Sequence, residues 1–553
     1  MNFPTQMKWG YHNLQFIRPI RWLVSLLNDQ VVPFKILDVE AGRTTRGHRF
    51  LGHDVDLKEA DDYEEDLHQQ FVIADQDKRK QVINQQIDQI VEEHDWVIDK
   101  DPNLMEEVNN LVEWPTAFAG SFEQKYLVLP DEVLITSMKD NQRFFYLRDH
   151  QGKLLPYFIA VRNGNRDYLD NVIKGNERVL VPRLEDAKFF FEEDQKISIA
   201  DYVERLKRVS FHDKIGSMAE KLARVTVLAQ LFGKKVGLDD QQLKDLKRAS
   251  QIYKFDLTTQ MVGEFAELQG IMGEIYAQLQ GERPTVAKAI AEEYMPTSAE
   301  GKLPQSPVGT VLAIADKLDS IMSFFAVGMI PSGSNDPYAL RRQAFGIVRI
   351  IADRQWHLPL MGMAAEYSQA LEAAGIDNQL DFSRHAKEVR SFFLDRLKQL
   401  FHEEHLRHDI VDAVCDTKQN DIADVIEAAA AIDQRKDNDQ FKEAVEALTR
   451  VVRLARKGDL PADQWQVDPQ LFENPSEKSL WDKTTELQQE FSGQTLDEHF
   501  AELLALHDLI SDYFEENMIM AKDEAVKHNR LSQLSIIAAM TNEFGNLDEL
   551  IVK

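Results

Sequence analysis

Four stretches place cations where they could meet phosphate. Gly42-Arg-Thr-Thr-Arg-Gly-His-Arg49 sets Arg43, Arg46 and Arg49 beside two glycines and two hydroxyls. Guanidinium forks and exposed backbone amides in such a loop can hold an oxyanion. Asp336-Pro337 is read as a helix start, its carboxylate capping free amides and its proline filling the first turn, so Arg341 and Arg342 fall at the positive end of that helix. Cations are electrostatically poor there, so helix stability does not explain them. Arg349 is seven residues beyond Arg342, on the same helix face, and the three could track an RNA backbone. Arg450, Arg453 and Lys457 recur at helical spacing, with Leu448, Val452 and Ala455 left for the buried side, and Lys527, His528 and Arg530 precede a last helix. The plainer reading of each stretch is a solvated basic face, or pairing with this chain's abundant carboxylates.

The formal charge of the 553 residues is −29, which argues against indiscriminate nucleic-acid binding, because backbone affinity comes from cations that replace counterions. Selective docking remains compatible: residues 1–51 hold seven Lys or Arg against three acids, so a locally basic surface sits on an acidic body. At 43% hydrophobic the chain can bury several cores, and a prior of about one domain per 150 residues predicts three or four. The single cysteine, Cys415, excludes an internal disulfide and a multi-cysteine zinc site. No stretch approaches ~18 uninterrupted apolar residues and the start has no charged-then-apolar leader, so the expected location is cytoplasmic.

The elements that must position these residues follow from periodicity. Apolar runs from Ile20 to Val39 flank Asn28-Asp-Gln30 and predict a hairpin; Arg143–Leu147 and Leu154–Val161 predict another around Asp149-His-Gln-Gly152. Between them, Ala74 to Asp95 reads as mainly helical, and Asp54 to Asp66 carries eight acids and only Lys58, a solvated face or linker. From Ala200 the pattern is helical almost to the end. Leu222, Val225, Leu228 and Phe232 share a face with Gly233 as stop, and Thr495-Leu-Asp-Glu498 is a capping box opening a helix that includes Leu496, Phe500, Leu503, Ile510 and Phe514. Leu534, Ile537, Met540 and Phe544 point inward on the last helix, which Gly545 ends. Gly263, Gly270 and Gly273 interrupt a helix-favouring run and imply breaks or close backbone approach. Asp316, Lys317 and Asp319 lie within one helical turn and could form ion pairs.

Asp256-Leu-Thr-Thr-Gln-Met-Val-Gly-Glu-Phe-Ala-Glu-Leu-Gln-Gly-Ile-Met-Gly273, Ala315-Asp-Lys-Leu-Asp319 and Ser332-Gly-Ser-Asn-Asp-Pro-Tyr-Ala-Leu-Arg-Arg342 together resemble the core of bacterial glycyl-tRNA synthetase beta subunits. Arg46-Gly-His-Arg-Phe50, Asn176-Glu-Arg-Val-Leu180 and Arg183-Leu-Glu-Asp-Ala-Lys-Phe-Phe190 extend the resemblance upstream. Asn517 to Leu531 is similar to anticodon-binding helices shared with arginyl-tRNA synthetases. The resemblance covers essentially the whole chain. Phe3-Pro-Thr-Gln-Met-Lys-Trp-Gly10 resembles the middle of the family pattern, so an N-terminal region is expected to be lacking.

The resemblance implies a multidomain α+β chain: an α/β region with hairpins over 1–195, partly like the editing domain of phenylalanyl-tRNA synthetase; an HD-like helical domain over 196–364; a helical connector over 365–440; and an anticodon-binding-like bundle over 441–553. It implies a non-catalytic tRNA-recognition subunit of a glycine-tRNA ligase, positioning tRNA(Gly) for ATP-dependent glycylation by an alpha subunit in a tetramer of two alpha and two beta chains. ATP and Mg would be used by the alpha partner, and no cofactor or catalytic residue is expected here. Candidate tRNA contacts are the cations Arg43, Arg46, Arg49, Arg341, Arg342, Arg349, Arg450, Arg453, Lys527 and Arg530. HD-type enzymes hold divalent metal through scattered His and Asp, and His212, Asp213, Asp256 and Asp316 fall in that order. Where such an enzyme needs an internal His-Asp pair, this chain reads Lys254-Phe-Asp256, which loses an imidazole and gains an ammonium. A metal-dependent phosphohydrolase is therefore the alternative reading, and an assembly scaffold without RNA contact is another.

Overall fold

The computed structural model describes residues 5–490 and 493–551. The chain divides into two compact units: Met1–Lys196 with Gln260–Leu268, and Ile197–Thr259 with Gln269–Lys553. The first is α+β and the second almost wholly helical.

In the first unit, a four-stranded antiparallel sheet has the order Val97–Ile98, Phe145–Arg148, Leu154–Asn163, Pro115–Ser121. Its two middle strands are the predicted second hairpin, with Phe145 opposite Ile159. The helices Gln76–His94 and Pro102–Leu111 contribute Ile83, Ile87, Leu104 and Val108 to a core shared with Phe145, Leu147 and Ile159. Both helices start at an aspartate, Asp75 and Asp101, whose carboxylate accepts two first-turn N–H groups. Asp95 in left-handed conformation (φ 57°) ends the first of them. The 26-residue helix Leu169–Asp194 buries Leu180, Leu184 and Ala187. Its last residue, Asp194, accepts the N–H groups of Gln260 and Met261 at 2.9 Å each, which fastens the 260–268 excursion to this unit. Residues 23–56 form short strands, among them the predicted hairpin Leu26–Leu27 with Gln30–Val31, turned at Asn28 with φ 53°.

The second unit is built round the helix Pro307–Ala326, in which every residue from Val308 to Ala326 is buried. A helix buried on all faces is a core element. Met218–Lys235, Asp240–Ile252, Pro284–Glu292 and Leu340–Arg354 pack against it. Helices from Ala364 to Arg435 follow, and in the C-terminal part Phe441–Gly458 packs on Glu524–Thr541.

Local readings differ from the structure in four places. Lys527, His528 and Arg530, read as preceding the last helix, lie inside it, because Asp523 caps a helix that runs Glu524–Thr541. The helix Met218–Lys235 passes through Gly233, which is there because a Cβ would come 2.8 Å from Leu246; the helix stops before Gly237, which has φ +75°. The capping box at Thr495 and Glu498 forms, but its helix ends at Leu504 and a second helix, His507–Glu516, carries Ile510 and Phe514. Asp336 does cap amides, accepting from Leu340 and Arg341 at 2.9 Å each, yet the helix begins only at Leu340, because Ala339 is left-handed (φ 52°). Pro337 therefore lies before the helix rather than in its first turn. Among the described residues, no helix is long and apolar enough to cross a membrane.

Candidate functional site: a buried charged centre beside unpaired arginines

The only charges on the central helix are Asp316, Lys317 and Asp319, and charges carried into a buried place must find partners. Their partners come from other helices rather than from one another. Asp319, with no solvent exposure, receives a bidentate bond from Arg224 (Nε to Oδ1 2.8 Å, Nη2 to Oδ2 3.1 Å), the Tyr367 hydroxyl at 2.8 Å and Lys221 at 3.3 Å. Lys221 Nζ also reaches Asp316 Oδ1 at 3.0 Å, the Asp316 carbonyl at 2.9 Å and Ser320 Oγ at 2.8 Å. Tyr253 donates to Asp316 at 2.7 Å. Lys254 pairs with Glu293 and lies 3.6 Å from the centroid of the Tyr294 ring. Lys317 Nζ donates to the Glu293 carbonyl at 2.7 Å. Asp256 accepts the Gly270 N–H at 2.6 Å, and its other oxygen has no partner among the described residues.

Glycines allow this closeness. Gly270 has φ +79°, and a Cβ on it would come 2.5 Å from Tyr294; a Cβ on Gly273 would come 2.6 Å from Ile290 and 3.1 Å from Asp256. Gly263 has open space around its Cβ position, so its glycine is unexplained by packing.

Burial and charge act in opposite directions on these groups. Burial pushes Asp256 up to about 6 and Glu293 up to about 7, and pushes Lys317 down to about 8. For Asp316 burial acts upward too, but Lys221, Lys254 and Lys317 outweigh it and hold the carboxyl well below its usual range. Asp319 is likewise held low, against its burial, by Arg224 and Lys221.

His212 packs edge-on to Phe324 and Tyr338 at ring distances of 5.6 and 5.7 Å, and Asp213 is exposed. Asp316 already has an ammonium 3.0 Å from one carboxylate oxygen, where a metal ion bound to that oxygen would meet like charge. Among the described residues, the one group of three potential ligands with atoms within 4.8 Å of one another is His357, Asp421 and Asp424, which includes none of those four.

The proposed RNA-facing cations divide by what they already hold. Arg43 donates to the Leu57 and Asp29 carbonyls (3.0 and 2.9 Å), Arg349 to the Ala299 and Gly301 carbonyls (2.6 and 3.0 Å), and each thereby ties a loop of its own unit. Arg530 is buried, with Glu477 and Glu473 at 2.8 Å each and the Met518 carbonyl at 3.0 Å. Arg453 pairs with Asp548 at 2.9 Å and Lys527 with Glu524 at 3.2 Å, both on the surface. Arg46 stands 4.9 Å from the Trp22 ring and pairs loosely with Asp54 at 4.0 Å, Arg49 is 5.4 Å from Phe50 and Arg450 4.1 Å from Phe514; all three are exposed. Arg342 is exposed and Arg341 half-buried, and neither guanidinium has a hydrogen bond or ion pair with a described residue.

Sequence reading missed Lys221, Arg224, Tyr253, Glu293 and Tyr367. A trace was there: Lys221 and Arg224 are spaced three apart, bordering the apolar face of Leu222, Val225 and Leu228, which is where a buried cation would sit.

The family model described as "Glycyl-tRNA synthetase beta subunit" matches residues 1–416. A glycine–tRNA ligase beta subunit of Limosilactobacillus reuteri is 67% identical over 553 residues, 100% of this chain and 80% of that protein. Those of Limosilactobacillus fermentum and Lactiplantibacillus plantarum are 66% and 55% identical, again over 100% of this chain and 80% of theirs. Matched by that family model over most of its length and by these relatives from end to end, the chain belongs to the glycyl-tRNA synthetase beta subunit family.

Proposed function

We propose that this chain is the tRNA-recognition subunit of a cytoplasmic glycine–tRNA ligase, holding tRNA(Gly) so that its terminal adenosine reaches glycine activated on an alpha subunit. The observation that carries the reading, beyond family membership, is the pair Arg341 and Arg342. They stand at a helix start that stabilises no cation, and no described carboxylate of this acidic chain pairs with them. Unpaired guanidinium groups suit phosphate, and Arg46, Arg49 and Arg450 add exposed cations seated on aromatic rings.

In this division of labour the chain contributes orientation, and the adenylate chemistry with its ATP and Mg belongs to the alpha subunit. Two alpha and two beta chains would form the assembly. Residues 196–364 would supply an HD-like domain, 365–440 a connector and 441–553 an anticodon-reading bundle. The ammonium of Lys221 against Asp316 weighs against the phosphohydrolase alternative.

The test is competition binding of this chain to tRNA(Gly) and an unrelated tRNA across a salt series. Preference for tRNA(Gly) with a modest salt slope supports recognition by base and shape contacts. Equal binding of both, or none even with the alpha subunit present, refutes it and favours the scaffold reading.

A further inference from the structure

Beside the charged centre lies a cleft of about 460 Å³, lined in part by Phe211, Lys254, Glu293, Tyr294, Lys317 and Arg342. We propose that this cleft is a binding site for a phosphate-bearing ligand of mononucleotide size, with Lys317 and Arg342 gripping the phosphate. The site shares Arg342 with the surface proposed to meet RNA, but its argument rests on the cleft and Lys317 and does not need the tRNA reading.

The charge balance of the lining is the first argument. Its charged residues are Lys221, Lys254, Lys317 and Arg342 against Glu293 and Asp316. Lys221 neutralises Asp316, and Lys254 neutralises Glu293. Lys317 and Arg342 are left over, two cations without a carboxylate of their own in a chain of formal charge −29.

The second argument is unused hydrogen-bonding capacity on a largely buried ammonium. Lys317 is 5% exposed, and its ammonium, with three donors, meets one described acceptor, the Glu293 carbonyl at 2.7 Å. An ammonium kept in the interior with donors to spare is costly unless something else accepts from it. The Tyr294 hydroxyl is buried beside the Glu293 carboxylate, so a phosphate would draw on the tyrosine as donor and keep clear of the carboxylate. Phosphate oxygens would accept from Lys317, from Tyr294 and from the Arg342 fork at the mouth.

The third argument is shape. The volume falls within the usual range for small-molecule sites and suits a nucleotide better than a bare ion. Phe211 and Tyr294 border the cleft with aromatic rings, each already facing a lysine, Lys221 at 4.9 Å from the Phe211 ring and Lys254 at 3.6 Å from the Tyr294 ring, so a base would pack against their remaining edges.

A phosphate of this description can arrive on a free mononucleotide or on the terminal nucleotide of an RNA, and the experiment separates the two. Calorimetric titration of the full chain with AMP, GMP and pyrophosphate tests the free source; a tRNA with and without its terminal nucleotide, titrated into chain saturated with the best mononucleotide, tests the other. The expected result is saturable mononucleotide binding that weakens about tenfold or more in Lys317→Met and in Arg342→Gln, the loss appropriate to a charge-assisted hydrogen bond. Arg342→Gln alters an exposed side chain and keeps the test valid if Lys317→Met does not fold. Competition by the terminal nucleotide of tRNA would assign the RNA source, and independence of the two the free source. Absence of binding by every probe at millimolar concentration, or binding indifferent to both substitutions, overturns the proposal. Because the mononucleotide arm contains no RNA, its failure leaves the tRNA reading standing.

Discussion

Asp319→Leu tests whether the charged centre holds the helical unit together. The carboxylate is fully buried and receives two bonds from Arg224, one from Tyr367 and one from Lys221. Removing it leaves the Arg224 guanidinium, itself 3% exposed, without a carboxylate in the interior. Lys221 keeps Asp316 and Ser320, so the loss is concentrated on the arginine. Breaking a buried pair from one side costs roughly 3–5 kcal/mol. At about 2–4 °C per kcal/mol for a domain of a few hundred residues, the melting temperature should fall by roughly 6–20 °C. Arg224→Met combined with Asp319→Leu removes both charges and should recover much of that, since an apolar pair of similar volume avoids the desolvation cost. Calorimetry and urea unfolding of the three variants give the answer. A loss below about 1 kcal/mol for the single variant, the range of surface substitutions, refutes the reasoning, as does a double variant no better than the single one.

Arg341→Gln with Arg342→Gln should weaken tRNA binding and lower the salt slope by about 0.7–0.9 for each phosphate no longer neutralised, read from affinity against salt, with little change in melting temperature. Arg530→Ala should do the opposite: it strands buried Glu477, costs roughly 3–5 kcal/mol by denaturant unfolding, and leaves the salt slope alone, whereas Arg450→Ala should be nearly neutral for stability. Asp256 sits at about 6 when folded against about 3.9 unfolded, so the folded state binds its proton more tightly. That contribution favours folding below about pH 4 and is lost as pH rises through about 6. Asp256→Asn should therefore gain stability relative to the parent across that window, measured by unfolding at several pH values; a constant difference would show that the carboxyl does not titrate there. Gly270→Ala forces an L-residue to φ +79° against Tyr294 and should cost about 2 kcal/mol or more in the same assay.

Sequence alone determined a good deal here, wherever the deciding interactions are local. The hairpins at Asn28 and Asp149-His-Gln-Gly152, the helix from Gln76 to His94 and the capping box at Thr495 rest on turn chemistry and periodicity within a few residues, and they formed as read. Gly545 at φ +88° does end the segment, but the last α-helix itself stops at Thr541 and Phe544 lies in a 3-10 turn beyond it. The family was legible too, because its motifs are long stretches in fixed order.

What tertiary structure decided was the fate of each charge. Arg530 and Arg342 are the same residue type, and each follows a plausible helix signal. One meets Glu477 and Glu473 from a segment some fifty residues away and disappears into the core; the other meets no described carboxylate and stays outside. The triplet Asp316, Lys317 and Asp319 looked like a local ion-pair group, whereas Lys221, Arg224 and Tyr367, brought in by other helices, are the partners that make Asp316 and Asp319 tolerable inside. Helical spacing says which residues share a face. Whether that face meets carboxylates, apolar side chains or water depends on which helix packs there, and desolvation makes the answer worth several kcal/mol for each buried charge.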